Sequence, residues 1–162
     1  MANIFSGGDR ELDLSNGGTQ AFVEVLMLAA SDLASQAWDF RFAALLILQD
    51  QNVMGRGAVG FHLEEIDWGS NESERARSKD FVLRATALAA SGHRWGELGY
   101  HPTRVHDHLD QFRIMVEYFT PPTSSSPYQH FPGPDVAMAS CTRHRVLSGL
   151  PYWEGCFLCN QA

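Results

Sequence analysis

Residues 19–36 read TQAFVEVLMLAASDLASQ, and this stretch indicates a helical protein. Its apolar side chains recur at steps of four, three and four residues, at Phe22, Leu26, Ala29 and Leu33. Such spacing places them on one face of an α-helix. We therefore expect a helix over this stretch that buries its apolar face against a core.

A second helix is predicted over residues 39–49. The run FRFAALLILQ is apolar on nearly every side, so we expect this helix to be the central, most buried element. Trp38, Phe40 and Phe42 also alternate as they would in a strand, which leaves that alternative open. The apolar side chains between Phe61 and Trp68 are expected to pack down as a short helix or turn.

Two further helices are marked by their ends. Asn71 and Glu74 form a variant of the capping box at the start of the third helix, and Ser91-Gly92 suits its C-terminal stop. The fourth helix is predicted over residues 103–119, where apolar residues recur from Val105 to Phe119 at steps of four, three, four and three. Prolines precede and follow it, as expected at helix ends.

The C-terminal residues carry the most specific motif of the chain. Cys141, His144, Cys156 and Cys159 read C-x2-H-x11-C-x2-C, and they include all three cysteines. Two short chelating pairs with a hairpin-length spacer suit one tetrahedral Cys3His zinc ion. Because all four positions are protein ligands, we expect a structural ion that does not activate water.

Turn-forming residues favour a β-hairpin around this site. Gly149 and Pro151 are expected in its turn, with strands through residues 145–147 and near residues 152–153. Residues 141–159 resemble the zinc-ribbon or zinc-knuckle class, with one histidine in place of a cysteine. Two alternatives remain open: a Cys156–Cys159 redox pair, and unrelated buried thiols.

Together these patterns predict a mainly α fold: a small bundle of about four helices with a C-terminal zinc-bound β-hairpin. Prolines and serines are concentrated after the fourth helix, which is typical of a semi-rigid linker. The expected organisation is a flexible leader (1–18), a helical domain (19–119), a Pro/Ser-rich linker (120–138) and a zinc-binding tail (139–162).

The acidic residues are unevenly distributed along the chain. The formal net charge is −7, and residues 1–70 hold ten acidic against three basic residues. An acidic surface argues against nucleic acid, which is bound through Lys and Arg, and suits a basic protein partner. A merely solubilising surface is the alternative. The candidate partner-binding residues are Glu64, Glu65, Asp67 and Trp153.

The N-terminal sequence has neither a basic start nor an apolar core, so no secretory signal is visible. No apolar run approaches the roughly 20 residues that a membrane span needs. Clustered cysteines without an export signal favour a metal over disulfides. We therefore expect a cytoplasmic protein without a membrane partner.

Histidines are dense around the start of the fourth helix, at His101, His106 and His108. They suggest an acid–base or metal site, which Asp39 and Arg41 would join, although a solvated helix face is the better explanation of them. The Gly55–Gly60 match to G-x-G-x-x-G lacks a preceding strand and is better explained as a turn.

The expected function is a non-catalytic protein-interaction module, such as an adaptor or an inhibitor or immunity-type protein, with a structural zinc site. Its acidic N-terminal half would meet a basic protein. The alternative is a small enzyme with a histidine-containing pocket.

Overall fold

The structure is a computed structural model that describes residues 3–49, 60–123, 131–136, 138–149 and 157–159. The described residues form four α-helices and two antiparallel strand pairs, which confirms the predicted mainly α class. In chain order the elements are β1 (Asn3–Gly7), β2 (Arg10–Leu14), α1 (Asn16–Leu33), α2 (Ala37–Leu48), α3 (Glu72–Ala90), α4 (Val105–Tyr118), β3 (Met138–Ser140) and β4 (Leu147–Gly149).

The N-terminal residues form a hairpin packed on the core, which differs from the expected flexible leader. Strands β1 and β2 pair with Phe5 opposite Leu12, around a turn in which Gly8 has a φ of 61°. Phe5, Leu12 and Leu14 alternate along the strands and are fully buried. Alternating side chains on a strand share a face, so one face of the hairpin belongs to the core.

Helix α1 begins three residues before its predicted start because Ser15 caps it. The Ser15 side chain accepts a hydrogen bond from the Gly18 amide at 3.1 Å, as an N-cap serine does. Every residue from Ala21 to Ala30 is buried, so α1 is enclosed on all sides. The expectation that α2 would be the most buried helix is therefore wrong.

Helix α2 extends over residues 37–48 and confirms the helical interpretation of this stretch. Gln36 is its N-cap residue, and the Asp39 amide donates to the Gln36 backbone carbonyl at 2.9 Å. The Asp39 carboxylate is completely buried, and it accepts from the Ser35 and Gln36 amides at 2.9 and 3.1 Å and from Arg77 at 3.0 Å. This buried carboxylate is fully partnered, as such groups must be.

The connection between α2 and α3 packs down as predicted, around a 3-10 turn at Leu63–Glu65. Helix α3 begins after Asn71, which accepts from the Glu74 amide at 2.8 Å. The Glu74 carboxylate reaches back to the Ser70 amide at 2.7 Å. The hydrogen bonds that the Glu74 carboxylate accepts from the Ser70 amide and hydroxyl lower the pKa of Glu74, with the amide as the main cause.

Helix α4 starts two residues after its predicted start, because Arg104 precedes it in a left-handed conformation with a φ of 61°.

Two groups of aromatic rings join the elements. Phe5, Phe22, Phe61 and Phe112 meet edge to face beneath the N-terminal hairpin.

The second aromatic group involves the predicted linker. Phe131 is buried against Trp38, and the Arg41 guanidinium lies 4.7 Å from the Phe131 ring centroid. Arg41 also donates to the Pro132 carbonyl at 2.7 Å. This described part of the linker is therefore held against α2, while residues 124–130 lie outside the described residues.

In the part of the chain that the structure describes, no helix combines the length and the apolar character required to cross a bilayer.

Gly60 allows the connection to pass directly beside β1. Its φ is 136°, and a Cβ atom at this position would lie 1.9 Å from the Ile4 carbonyl oxygen. We expect Gly60→Ala to lower the free energy of unfolding by roughly 3 kcal/mol, through backbone strain and this clash. Urea unfolding measures the loss. Gly96→Ala, where a Cβ meets nothing within 4 Å, is the control and should stay near wild type.

Candidate metal centre

Two of the predicted ligands lie in the loop that joins β3 to β4. The strands pair Ser140 with Leu147, and the Cys141 amide donates to the Val146 carbonyl at 2.9 Å. The Arg145 amide then donates to the Cys141 carbonyl at 2.7 Å. This tight loop turns Cys141 and His144 toward the same point.

Cys159 joins these two residues from the far end of the tail. The Sγ atoms of Cys141 and Cys159 are 3.6 Å apart, and His144 Nδ1 lies 3.3 Å from the Cys159 sulfur and 3.8 Å from the Cys141 sulfur. Zinc bonds of ~2.3 Å to sulfur and ~2.0 Å to nitrogen, at tetrahedral angles, place neighbouring ligand atoms about 3.5–3.8 Å apart. The three side chains can therefore hold one metal ion.

The backbone around Cys141 stabilises its thiolate. The amide of His144 donates toward the Cys141 sulfur at 3.5 Å and is the main cause of a pKa lowered to about 6. The Arg143 amide and the His144 and Cys159 side chains lower this pKa further, whereas partial desolvation opposes them. Because metals bind the thiolate and not the thiol, this loop is prepared for a cation.

The structure thus brings together three of the four predicted ligand residues, which could hold a metal ion, while Cys156 lies outside the described residues. Among the described residues, Cys141, His144 and Cys159 are the only group of three or more His, Cys, Asp or Glu side chains close enough to share an ion.

The hairpin differs from the predicted one in its pairing. Gly149 was expected in a turn, but it is the last residue of β4 and pairs with Met138. The predicted return strand and Trp153 lie outside the described residues. The ligand loop therefore sits at the closed end of the hairpin, which brings Cys141 and His144 onto one side.

This hairpin is fixed to the helical core. Val146 is completely buried, and the Leu147 amide donates to the Ser31 hydroxyl at 3.0 Å, near the end of α1. Leu158, beside Cys159, is also buried. The metal centre consequently lies against the end of α1.

Arg94 connects the helices to the loop between β3 and β4 that carries Cys141 and His144, called the metal loop below. This residue was not identified from the sequence. Its guanidinium donates to the His144 carbonyl, to Glu97 at 2.6 Å and to Asp32 at 3.3 Å. The hydrogen bond to Glu97 is the main cause of the raised pKa of Arg94, and Arg94 in turn lowers the pKa of Glu97. No local sequence pattern predicts this contact, because Arg94 and His144 are 50 residues apart.

The predicted histidine cluster is divided by the fold. His101 and His108 line one cavity of about 490 Å³, while His106 packs against Trp95 with tilted rings whose centroids are 4.8 Å apart. Burial lowers the pKa of His108, which favours the neutral imidazole. Asp39 lies elsewhere, paired with Arg77, and Arg41 pairs with Asp67 at 3.2 Å. The five residues proposed for an enzyme site thus do not meet in one place.

Two carboxylates of the acidic group after α2, those of Glu64 and Asp67, form hydrogen bonds within the protein. Asp67 pairs with Arg41 and accepts from the Gly69 amide at 3.2 Å, and Glu64 accepts from the Gly8 amide at 2.9 Å. Glu64 remains exposed and Glu65 half-buried. Of the G-x-G-x-x-G match, only Gly60 is described, and its close approach to Ile4 explains that glycine without a phosphate.

Comparisons of the chain with protein-family models, with curated proteins and with solved structures found no match. The site must therefore be interpreted from its own geometry.

Arg94 and Arg104 offer a matched test of this link, because both have a φ of 61°. We expect Arg94→Gly to lower the free energy of unfolding by roughly 2 kcal/mol, since three charge-assisted hydrogen-bonding partners are lost. Arg104→Gly should change it by less than about 0.5 kcal/mol, because Arg104 forms no ion pair with any described residue.

Hydrogen exchange at the Leu147 amide, followed alongside urea unfolding, reports the tail directly. Exchange should accelerate in Arg94→Gly and stay unchanged in Arg104→Gly. Equal behaviour of the two variants would refute a role for the Arg94 side chain in holding the metal loop.

Proposed function

We propose that this protein is a non-catalytic interaction protein whose C-terminal tail is shaped by one structural zinc ion, and whose acidic N-terminal half meets a basic protein. The observation that carries the zinc proposal is the convergence of Cys141, His144 and Cys159 at tetrahedral ligand spacing. The acidic surface of the N-terminal hairpin supports the interaction proposal.

Zinc is the ion favoured by the ligand set. Thiolate and imidazole ligands in a tetrahedral arrangement are typical of zinc, whereas magnesium and calcium take oxygen ligands. Cys156 precedes Cys159 by the x2 spacing of a zinc knuckle, so we assign it as the fourth ligand. Four protein ligands close the coordination sphere, which is the arrangement of structural sites.

The tail needs such an ion because its own elements are small. Strands β3 and β4 have three residues each, and an isolated two-stranded hairpin is marginal in water. Structural zinc contributes on the order of 10 kcal/mol in small metal-stabilised folds. The ion would thus hold the hairpin in the shape that fits the end of α1.

Metal content tests this proposal. Elemental analysis of the purified full chain should show about one equivalent of zinc. Cys156→Ser and His144→Ala should each lower the zinc content severalfold at a fixed chelator concentration, because each removes one of four ligands. His93→Ala is the matched control: this imidazole pairs with Asp32 near the site and should be dispensable for zinc.

Two results would contradict the zinc proposal. A well-folded preparation without metal would remove the structural role. Full zinc retention in Cys156→Ser would indicate an open site with three protein ligands, which is the arrangement of catalytic zinc and not of structural zinc.

Fewer carboxylates are available to bind a partner than the sequence indicates. Four of the N-terminal carboxylates are paired inside the protein: Glu24 with Tyr100, Asp32 with Arg94, Asp39 with Arg77 and Asp67 with Arg41. Paired carboxylates are poorly placed to bind a second cation. The exposed carboxylates of the N-terminal hairpin and its neighbour are Asp9, Glu11, Asp13 and Glu64.

Two of these carboxylates, Glu11 and Asp13, lie on the outer face of the hairpin. Glu11 pairs with Ser6 and Asp13 with Ile4 in the strand register, opposite to the buried face that carries Phe5. Ile4 is 38% exposed on this outer face. An exposed apolar side chain opposite a carboxylate suits a basic partner that also offers apolar contact.

Charge reversal on this face tests the interaction. The variant Glu11→Lys/Asp13→Lys should lose a basic protein that wild type retains in affinity capture from the native host. Asp67 is left unchanged because it pairs with Arg41. The control Glu72→Lys/Asp135→Lys alters the net charge equally at exposed positions away from the hairpin, and it should retain the partner.

The interaction proposal also predicts that partner capture depends on the salt concentration. Capture should weaken as ionic strength rises, because exposed charges are screened within about 8–10 Å at physiological salt. If both double variants capture the same proteins as wild type, the acidic hairpin is not the docking surface. A partner would then have to meet another part of the chain.

The expected cytoplasmic location belongs to the same proposal, because a reducing compartment keeps the ligand thiols available for zinc. The alternative of a small enzyme keeps one structural basis, the cavity that His101 and His108 share.

A further inference from the structure

The cavity beside the start of α1 is lined only by described residues. It has a volume of about 490 Å³, within the usual range of roughly 300–1,000 Å³ for small-molecule pockets. Its walls come from residues 13–21 and 100–108, and neither stretch borders a gap in the described chain.

We propose that this cavity binds the phosphate group of a small molecule, held by Arg104, the two histidines and the first turn of α1. This site is separate from the metal centre and shares only Asp13 with the acidic hairpin face, so it goes beyond the proposed function.

Arg104 supplies the positive charge. Its side chain is exposed at the cavity and forms no ion pair with a described residue, unlike the arginines of the helical core. An arginine guanidinium can meet a phosphate with two parallel N–H donors. Its left-handed backbone is a conformation that non-glycine residues seldom adopt and that recurs at ligand-binding positions.

The histidines supply directional donors. His101 and His108 both line the cavity, and the Nδ1 atom of His108 is enclosed without a hydrogen-bond partner among the described residues. A neutral imidazole still carries one N–H donor for an oxyanion.

The first turn of α1 completes the donor set. Gly17 and Gly18 line the cavity, and a Cβ added at Gly17 would meet nothing within 4 Å, so the backbone is open to a ligand there. The first amides of a helix lack intrahelical acceptors and favour negative charge. The Gly18 amide already donates to the Ser15 hydroxyl, so Gly17 supplies the amide for the ligand. Together with Arg104 and the histidines it offers several donors, which suits the several oxygen atoms of a phosphate.

Asp13 opposes these groups, because its carboxylate also lines the cavity. The formal charges of Arg104 and Asp13 cancel, so selection must come from the directional donors and not from net charge. Removal of the Asp13 charge should consequently strengthen phosphate binding.

The test titrates inorganic phosphate into the ¹⁵N-labelled full chain at constant ionic strength and follows the Gly17 and Gly18 amide signals by NMR. Wild type should show saturable shifts with a Kd in the millimolar range, as expected for a small anion with few contacts. Arg104→Gln should weaken binding by about fivefold or more, because a charge-assisted bidentate contact is lost. Asp13→Asn should tighten it.

Substitutions at Gly17 separate binding from folding. Gly17→Asp adds a carboxylate that favours the helix start but repels phosphate, whereas Gly17→Asn adds nearly the same volume without charge. Binding should be at least about fivefold weaker in the aspartate variant than in the asparagine variant, with both thermal unfolding midpoints at or above that of wild type.

Arg84→Gln is the control for a general loss of positive charge, since Arg84 is exposed and pairs with Asp80 away from the cavity. Its phosphate affinity should equal that of wild type. Absent shifts at Gly17 and Gly18, or equal affinity of Arg104→Gln and wild type, would overturn the proposal.

Discussion

The enclosure of α1 is the constraint on which the rest of the structure depends. Ten consecutive residues of this helix, from Ala21 to Ala30, are buried, so other elements must cover it on every side. The N-terminal hairpin covers it through Phe5 and Phe22, α4 through Phe112, and the tail closes its end through Ser31. Burial of this apolar surface, at about 25 cal/mol per Å², is the main favourable term for such an arrangement.

This constraint explains which parts of the fold the sequence predicts. Long periodic segments such as residues 71–90 are predicted nearly to the residue, because the Asn71 cap and the apolar spacing are local signals. The N-terminal hairpin is missed because its glycines suggest a mobile leader. The alternation of Phe5, Leu12 and Leu14 around Gly8-Asp9 is nevertheless a hairpin signal. The central position of α1 is a tertiary property that its single apolar stripe does not reveal.

For the metal site as well, local sequence signals predict some features, whereas others depend on contacts between distant residues. The x2 spacing predicts which side chains converge, because a short loop can bring Cys141 and His144 to one ion without help from the rest of the chain. The attachment of that loop through Arg94 depends on contacts 50 residues apart, and the cavity of His101 and His108 needs the first turn of α1 beside it. Neither follows from sequence spacing.

Pairing also changes what the net charge means for function. The deficit of basic residues before position 70 suggests a broad acidic surface, yet Asp39 neutralises Arg77 in the interior and Asp32 is held by Arg94. Carboxylates used in this way stabilise the helix ends and the docked tail, and they contribute little to the field that a partner meets. The exposed carboxylates before position 70 that form no ion pair with a described residue are those of Asp9, Glu11, Asp13 and Glu64. The N-terminal hairpin thus covers α1 with its inner face and carries Glu11 and Asp13 on its outer face.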